Sequence, residues 1–259
     1  MDPQTAQYGL LGVGALATAI VTGLCEGAAE PPRIVLSPRN HQRAASLAAA
    51  YPSVAVAETN QAVVDAADLV FVTLRRTHAD ELAELSWRAD HVVVSAIAGV
   101  PLGRVRVLVS PATQVARAVP MPTVATRGSR TPVHPPLRPA LDAFERLGGA
   151  MPIEDGDQFE AIFTAMGTVA PFFEYLRILS DFLQGRGLTK SNADVIVAGV
   201  FTGLLGQLAA HEAPDFAELV REHAPPGGGN DQLTRLMREH GVFEGMARSV
   251  DEVHRRLTG

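Results

Sequence analysis

The chain has 259 residues, enough for two modest domains or one large one, and is 47% hydrophobic and 19% charged, which is typical of a globular protein with a substantial core. Its net charge of −6 argues against nucleic acid as a partner. A lone cysteine, Cys25, excludes an intrachain disulfide, and the histidines lack metal-ligand spacing, so we expect no metal site.

The chain shows no targeting or membrane-spanning signal. Its first residues lack the basic and apolar regions of a signal peptide. No uncharged apolar run reaches the roughly 18 residues of a membrane span. We therefore expect a cytoplasmic protein without a membrane partner.

The first predicted elements are a strand at residues 8–11, a glycine turn, a helix at 18–24 and a second strand at 33–36. The turn reads Gly12-Val13-Gly14-Ala15-Leu16-Ala17. A G-x-G-x-x-A motif in this context indicates dinucleotide binding, because the glycines let the backbone turn tightly and approach a pyrophosphate at a helix N-terminus. Gly12, Gly14, Ala15 and Leu16 are therefore candidate cofactor residues, although a glycine turn that serves packing alone is the alternative.

The residues after the second strand predict which dinucleotide binds. An NAD-binding domain has an acidic residue there, which accepts from the ribose 2′-hydroxyl. This chain has Ser37 and Arg39, with Arg43 a little later. A hydroxyl and a guanidinium suit a 2′-phosphate, so we expect NADP(H). A solvated Arg39 is the alternative.

Strand and helix patterns continue to alternate through the first half of the chain. Continuous Val/Leu runs separated by helical segments predict a parallel sheet covered on both faces. The predicted strands are 54–56, 69–74, 91–96 and 104–110, and the predicted helices are 41–50, 60–67, 78–85 and 141–147. Residues 123–139 are rich in Pro, Thr, Arg and Gly, and predict a loop with room for one edge strand.

From Asp157 onward the pattern is helical only. The predicted helices are 159–183, broken near Gly167 and Pro171, then 191–211, 215–223, 231–240 and 242–257. We predict an α/β fold with an NADP-binding Rossmann-like domain at 1–153 and an all-helical dimerisation and substrate domain at 154–259. The apolar surface of these helices predicts a homodimer or an assembly of dimers.

Six segments follow one another in the order and spacing of one known family. They are the glycine turn, Asn60 with Asp68, Ser95-Ala96-Ile97-Ala98-Gly99-Val100, Arg117-Ala118-Val119-Pro120, Phe163-Thr164-Ala165-Met166-Gly167-Thr168, and Pro226-Gly227-Gly228. Together they resemble the pyrroline-5-carboxylate reductases over nearly the whole chain. The resemblance implies NADPH-dependent reduction of a cyclic imine, by a dimer whose interleaved helices complete each active site.

The resemblance also implies roles for individual residues. Asn60 stands where the family's asparagine contacts the cofactor, and Ala98 and Gly99 stand in a stretch that lies along it. Leu74 and Arg75 replace the start of the family's Val-Lys-Pro after the fourth strand. Asn230 replaces the threonine that hydrogen-bonds the imine nitrogen in the family.

The resemblance implies that these departures lie at positions that touch the substrate. A further departure of this kind is Met121-Pro122-Thr123, which stands in place of the family's Asn-Thr-Pro sequence. The activity therefore stays open between pyrroline-5-carboxylate and a different imine in a specialised pathway. A catalytically silent NADP-binding protein is a third hypothesis.

Two segments of the helical half are candidates for binding a small imine substrate. The loop Gly227-Gly228-Gly229-Asn230 opens a helix, whose free N–H groups can hold a carboxylate. A flexible loop with a helix cap at Asn230 is the alternative. Thr168 has a hydroxyl that could hydrogen-bond the substrate, and a role as a helix cap is an equally weighted alternative. Asn230 can hydrogen-bond the substrate but is no useful acid.

Overall fold

The computed structural model describes residues 8–209 and 214–258. The chain divides after Ile162 into two compact units. This division lies within helix α6, Gly156–Met166, and so falls later than the predicted boundary between 153 and 154. The last residues of the helix predicted at 191–211 lie outside the described residues.

The described part of the first unit contains one eight-stranded sheet in the order β3-β2-β1-β4-β5-β6-β7-β8. Strands β1 to β6 are parallel, β7 is antiparallel to β6, and β8 is parallel to β7. The strands are β1 Tyr8–Leu11, β2 Ile34–Leu36, β3 Val54–Val56, β4 Leu69–Val72, β5 Val92–Ser95, β6 Gln114–Ala118, β7 Thr131–His134 and β8 Ala150–Pro152.

Helices cover both faces of this sheet, as predicted for an α/β fold with a Rossmann-type domain. Alternate residues of the central strands point to opposite faces, so Leu10 and Phe71 belong to one core while Leu11 and Val70 belong to the other. The helices are α1 Ala15–Cys25, α2 His41–Ala50, α3 Asn60–Ala66, α4 Leu102–Leu108 and α5 Arg138–Glu145, with 3₁₀ helices at Arg76–Glu84 and Pro122–Thr126.

The strand predicted at residues 104–110 is wrong. These residues lie largely in helix α4, which buries Val105 and Leu108 and exposes Arg104 and Arg106. Alternating arginine and valine mimics a strand, but β5 and β6 are parallel neighbours and need a crossover between them. Helix α4 is that crossover.

The described second unit continues α6 and contains no strand, as predicted. Its helices are α7 Val169–Gln184, α8 Lys190–Ala209, α9 Phe216–His223, α10 Gly229–Glu239 and α11 Val242–Thr258. The predicted break falls at Gly167 and Thr168, between α6 and α7. Pro171 lies in the first turn of α7, where a helix does not need its N–H.

Helices α7 and α8 pack against each other but leave much apolar surface exposed. Phe201 meets Tyr175 edge to face, and the Ser180 hydroxyl donates to the Asp194 carboxylate at 2.6 Å. Phe173 is nevertheless 62% exposed and Val195 69% exposed. By length and composition alone, Gly156–Gln184 and Lys190–Leu208 satisfy the criteria for membrane-crossing helices, as do core helices of proteins that never enter a membrane.

Candidate dinucleotide and substrate sites

The glycine turn has the geometry that a phosphate-binding turn requires. Gly12 has φ +90°, and a Cβ there would lie 3.0 Å from the Thr73 carbonyl oxygen, so only glycine fits. Gly14 is the N-cap of α1 and gives it no side-chain cap. A Cβ at Gly14 would meet nothing within 4 Å, so open space lies before the free N–H groups of the helix.

Three side chains hold this turn from neighbouring strand ends. Ser37 Oγ, after β2, accepts the Gly12 N–H at 2.9 Å. Thr73 Oγ1, after β4, donates to the Gly12 carbonyl at 2.6 Å. Asn40 Nδ2 donates to the Val13 carbonyl at 2.9 Å. Both polar groups of the Gly12 backbone are therefore fixed, which presets the turn before any ligand binds.

Sequence reasoning missed Thr73 and Asn40. Asn40 carries a recognisable signal, because it directly precedes a helical pattern and caps α2 through its side chain. Thr73 is only a polar residue at the end of an apolar strand, and its bond spans 61 residues of sequence.

Ser37 and Arg39 occupy different environments. Ser37 is 1% exposed, so its hydroxyl is committed to the turn, and its contact with a 2′-phosphate stays a prediction. The Arg39 side chain is 49% exposed and forms an ion pair with Glu81 of the 3₁₀ helix. The second oxygen of Glu81 lies 2.8 Å from His78 Nδ1. The hydrogen bond from Arg39 lowers the pKa of the Glu81 carboxyl.

The remaining candidate cofactor residues follow other strands of the same parallel sheet. Ligands of such sheets bind outside the carboxyl ends of the strands, where the strand order reverses, and here β1 and β4 are the neighbours at that point. Asn60 begins α3, Leu74 packs against the Gly12 position, Arg75 precedes the 3₁₀ helix, and Ala98 and Gly99 follow β5. Open space, free helix N–H groups and a nearby cation together fit a dinucleotide phosphate.

Arg117, from the family-like Arg-Ala-Val-Pro motif, is buried rather than part of the turn. It is 3% exposed, forms an ion pair with Glu160, and lies over the Phe159 ring at 4.9 Å. His134 packs against the same ring and its Nδ1 lies 3.0 Å from the Ile153 carbonyl. This group fixes the start of α6 against the sheet.

The loop before α10 is built differently from the prediction. The N-cap is Gly228, so the alternative of a cap at Asn230 is wrong. The Gly227 N–H donates to Asp231 Oδ2 at 3.0 Å, and the Gly228 N–H donates to the Pro225 carbonyl at 3.0 Å. The donors that remain are first-turn N–H groups from Gly229 onward, which a helix leaves without an internal partner.

Asn230 and Thr168 both use their side chains within the second unit. Asn230 Nδ2 donates to the His223 carbonyl at 2.9 Å, which closes the loop. Thr168 occupies the N-cap position of α7 but does not cap it, since its hydroxyl donates to the Ala165 carbonyl at 2.7 Å. Both residues retain acceptor atoms, and their roles in catalysis stay predictions.

Cys25 is buried, and burial raises the pKa of its thiol, which disfavours the thiolate. Among residues 8–209 and 214–258, no three His, Cys, Asp or Glu side chains are grouped to hold a metal ion.

A doubly wound sheet with a fixed glycine turn at its switch point defines a dinucleotide-binding protein. A family model described as "NADP oxidoreductase coenzyme F420-dependent" matches residues 7–99. A pyrroline-5-carboxylate reductase from Corynebacterium melassecola is 24% identical over 248 residues, covering 90% of each chain.

Solved structures of other proteins share this fold over almost the whole chain. The 1-pyrroline-5-carboxylate reductase of Streptococcus pyogenes has a TM-score of 0.80 at 20% identity, covering 98% of both chains. The Plasmodium falciparum pyrroline carboxylate reductase, solved with NADP bound, has a TM-score of 0.78 at 12% identity, covering 98% of this chain and 97% of its own. The predicted resemblance to the pyrroline-5-carboxylate reductases is confirmed over nearly the whole chain, at 24% identity to the curated relative and 20% identity to the Streptococcus pyogenes structure.

Proposed function

We propose that the protein is an NADPH-dependent oxidoreductase acting on CH–NH groups, which reduces the C=N bond of a cyclic imino acid. The substrate is pyrroline-5-carboxylate, which yields proline, or a close analogue. The observation that carries this proposal is the preset glycine turn, held at Gly12 by Ser37 and Thr73, within a chain that matches reductases of this kind along its length.

The first unit is proposed to bind NADP(H). The nicotinamide supplies the hydride when the cofactor is bound. The turn from Gly12 to Leu16 offers backbone N–H groups to the pyrophosphate, and Arg39 offers a guanidinium to the 2′-phosphate. The residues proposed to lie along the rest of the cofactor are Asn60, Leu74, Arg75, Ala98 and Gly99.

The loop before α10 is proposed to bind the substrate carboxylate. Asp231 and Pro225 already bond the N–H groups of Gly227 and Gly228, so the N–H groups of Gly229 and Asn230 are the proposed donors. Gly227 and Gly228 shape the approach, since Gly227 has φ +79° and Gly228 lies against Pro225. Thr168 and Asn230 are the proposed hydrogen-bonding partners of the imine nitrogen.

The second unit is also proposed to form a homodimer, alone or within an assembly of dimers. Apolar side chains such as Phe173, Ile178, Val195 and Val200 are more than half exposed in one chain, and a second copy would cover them. We also propose that the protein acts in the cytoplasm, in proline biosynthesis, without a membrane partner.

Reduction of a different imine is the second candidate function. It is favoured by Asn230, whose amide donates to the His223 carbonyl where the family has a threonine hydroxyl. Both candidates are tested by NADPH oxidation with pyrroline-5-carboxylate and with a panel of small cyclic and acyclic imines. NADPH binding without oxidation across the panel would contradict both and would indicate a silent binding protein.

A further inference from the structure

Arg39, Glu81 and His78 form a connected group of side chains in the first unit. Arg39 Nη2 donates to Glu81 Oε2, and His78 Nδ1 lies 2.8 Å from Glu81 Oε1. Each oxygen of the carboxylate therefore faces a nitrogen. This arrangement aims the Glu81 side chain at the guanidinium proposed to bind the 2′-phosphate.

The backbone segment that carries Arg39 is held by the residues on either side of it. Ser37 accepts the Gly12 N–H, and Asn40 donates to the Val13 carbonyl, each at 2.9 Å. The segment that carries Arg39 is thus bonded on both sides to the glycine turn. Because the segment follows β2, it lies where this fold binds the adenosine ribose and reads its 2′ substituent.

An acidic residue at this place has a known physical effect on dinucleotide choice. A carboxylate after the second strand accepts a hydrogen bond from the ribose 2′-hydroxyl of NAD. The sequence after β2 contains no acid, but the fold brings Glu81 there from 42 residues further along the chain. Arg39 lowers the pKa of Glu81, so the carboxylate is anionic at neutral pH.

We propose that Glu81 is a specificity-determining residue for the cofactor. It opposes the 2′-phosphate of NADP(H), because it occupies the Arg39 guanidinium and adds a like charge, and it favours the 2′-hydroxyl of NAD(H). The inference rests on the proposed function to the extent that the glycine turn is the dinucleotide site. The balance between Arg39 and Glu81 then sets how strongly NADP(H) is preferred.

The exposure of the Arg39–Glu81 ion pair determines how much Glu81 changes the affinity for the cofactor. The side chains of Arg39 and Glu81 are 49% and 31% exposed, so solvent screens their attraction and a phosphate can replace the carboxylate. Removing one such exposed charge changes affinity by about two- to fivefold. Glu81 therefore adjusts the preference for NADP(H) without abolishing the binding of either cofactor.

Isothermal titration calorimetry with NADP⁺ and NAD⁺, without imine, tests this inference on the full chain. We expect Glu81→Gln to lower the Kd for NADP⁺ about two- to fivefold and to leave the Kd for NAD⁺ unchanged or higher. Glu81→Ala gives the same direction for NADP⁺. Glu84→Gln removes the same charge from an exposed position on the same 3₁₀ helix and should leave the ratio of the two affinities unchanged.

Two results would overturn the inference. Weaker NADP⁺ binding in Glu81→Gln would mean that Glu81 supports Arg39 instead of opposing the phosphate. Equal changes for NADP⁺ and NAD⁺ would mean that Glu81 does not read the 2′ position. Failure of the proposed reductase function is distinguishable, because it leaves these binding ratios intact while no imine is reduced.

Discussion

Gly12 and Ser37 are 25 residues apart in sequence, and the Ser37 hydroxyl accepts the backbone N–H of Gly12 at 2.9 Å. The bond ties the end of β2 to the turn that follows β1. Since Thr73 bonds the carbonyl of the same glycine, both backbone polar groups of Gly12 are held in place. Rigid placement of N–H donors reduces the ordering cost of binding a phosphate.

Ser37→Ala tests whether this bond presets the turn. We expect the free energy of unfolding of the variant to fall by about 1 kcal/mol. We also expect the affinities for NADPH and NADH to fall by the same factor, because both cofactors contain the pyrophosphate that the turn would bind. Urea unfolding and fluorescence titration measure the two effects. Ser46→Ala removes a hydroxyl that bonds only within its own helix, and serves as the control. Selective loss of NADPH alone would instead assign Ser37 to the 2′-phosphate.

Arg39→Ala tests the source of the NADP(H) preference. We expect it to weaken NADPH by about 1–3 kcal/mol, the value of a charge-assisted contact, and to leave NADH nearly unchanged. Direct binding titrations with both cofactors measure the difference. Arg106→Ala, on the exposed face of α4, is the matched control. Equal losses for the two cofactors would show that Arg39 does not contact a 2′-phosphate.

Aspartate substitutions at two exposed valines test the proposed dimer. Val195 on α8 is 69% exposed and Val107 on α4 is 66% exposed in the single chain. If α8 packs against a second copy, Val195→Asp buries a charge and should shift the protein to monomers, whereas Val107→Asp should not. Sedimentation velocity at micromolar concentration measures this. A wild-type monomer that retains full activity would refute the proposed assembly.

Gly228→Val tests the proposed carboxylate site. A Cβ at Gly228 would lie 3.0 Å from the Pro225 carbonyl oxygen, so a branched side chain both displaces the loop and fills its approach. We expect turnover of carboxylate substrates to be lost while the Kd for NADPH is retained. Gly245→Val, on α11, controls for glycine replacement in a helix. Unchanged catalytic efficiency in Gly228→Val would show that the loop does not bind the anion.

Asn230→Thr tests the departure from the family pattern. The change removes the amide that donates to the His223 carbonyl and introduces the hydroxyl that the family has there. We expect cofactor affinity to stay the same and substrate preference to shift toward pyrroline-5-carboxylate, measured as the ratio of kcat/KM values for two imines. A ratio identical to that of the wild type would remove Asn230 from the site.

The parts of this molecule that sequence predicts best are those determined by neighbouring residues. Gly12 and Gly14 lie between an apolar strand and an apolar helix, so their turn was predicted from local pattern alone. The strand predicted at residues 104–110 is wrong because alternating arginine and valine suits a strand and a helix face equally, and only the parallel pairing of β5 and β6 decides between them.

The site contacts that sequence did not predict are long-range. Thr73 reaches Gly12, and Glu81 reaches Arg39, across turns of the fold whose geometry no local pattern encodes. The alternative of a cap at Asn230 is wrong for another reason: Asn230 has the residue type of a cap, but α10 begins with Gly228 as its N-cap and Asp231 bonds the Gly227 N–H.

Hydride transfer from NADPH to an imine carbon is measured most directly with NADPH deuterated at the transferable C4 position. The labelled cofactor is incubated with wild-type protein and pyrroline-5-carboxylate or another cyclic imine, and the product is analysed by mass spectrometry. We expect an amine, proline in the first case, that carries one deuterium from the cofactor. Bound NADPH that is never consumed, with no deuterated amine from any imine tested, would contradict it.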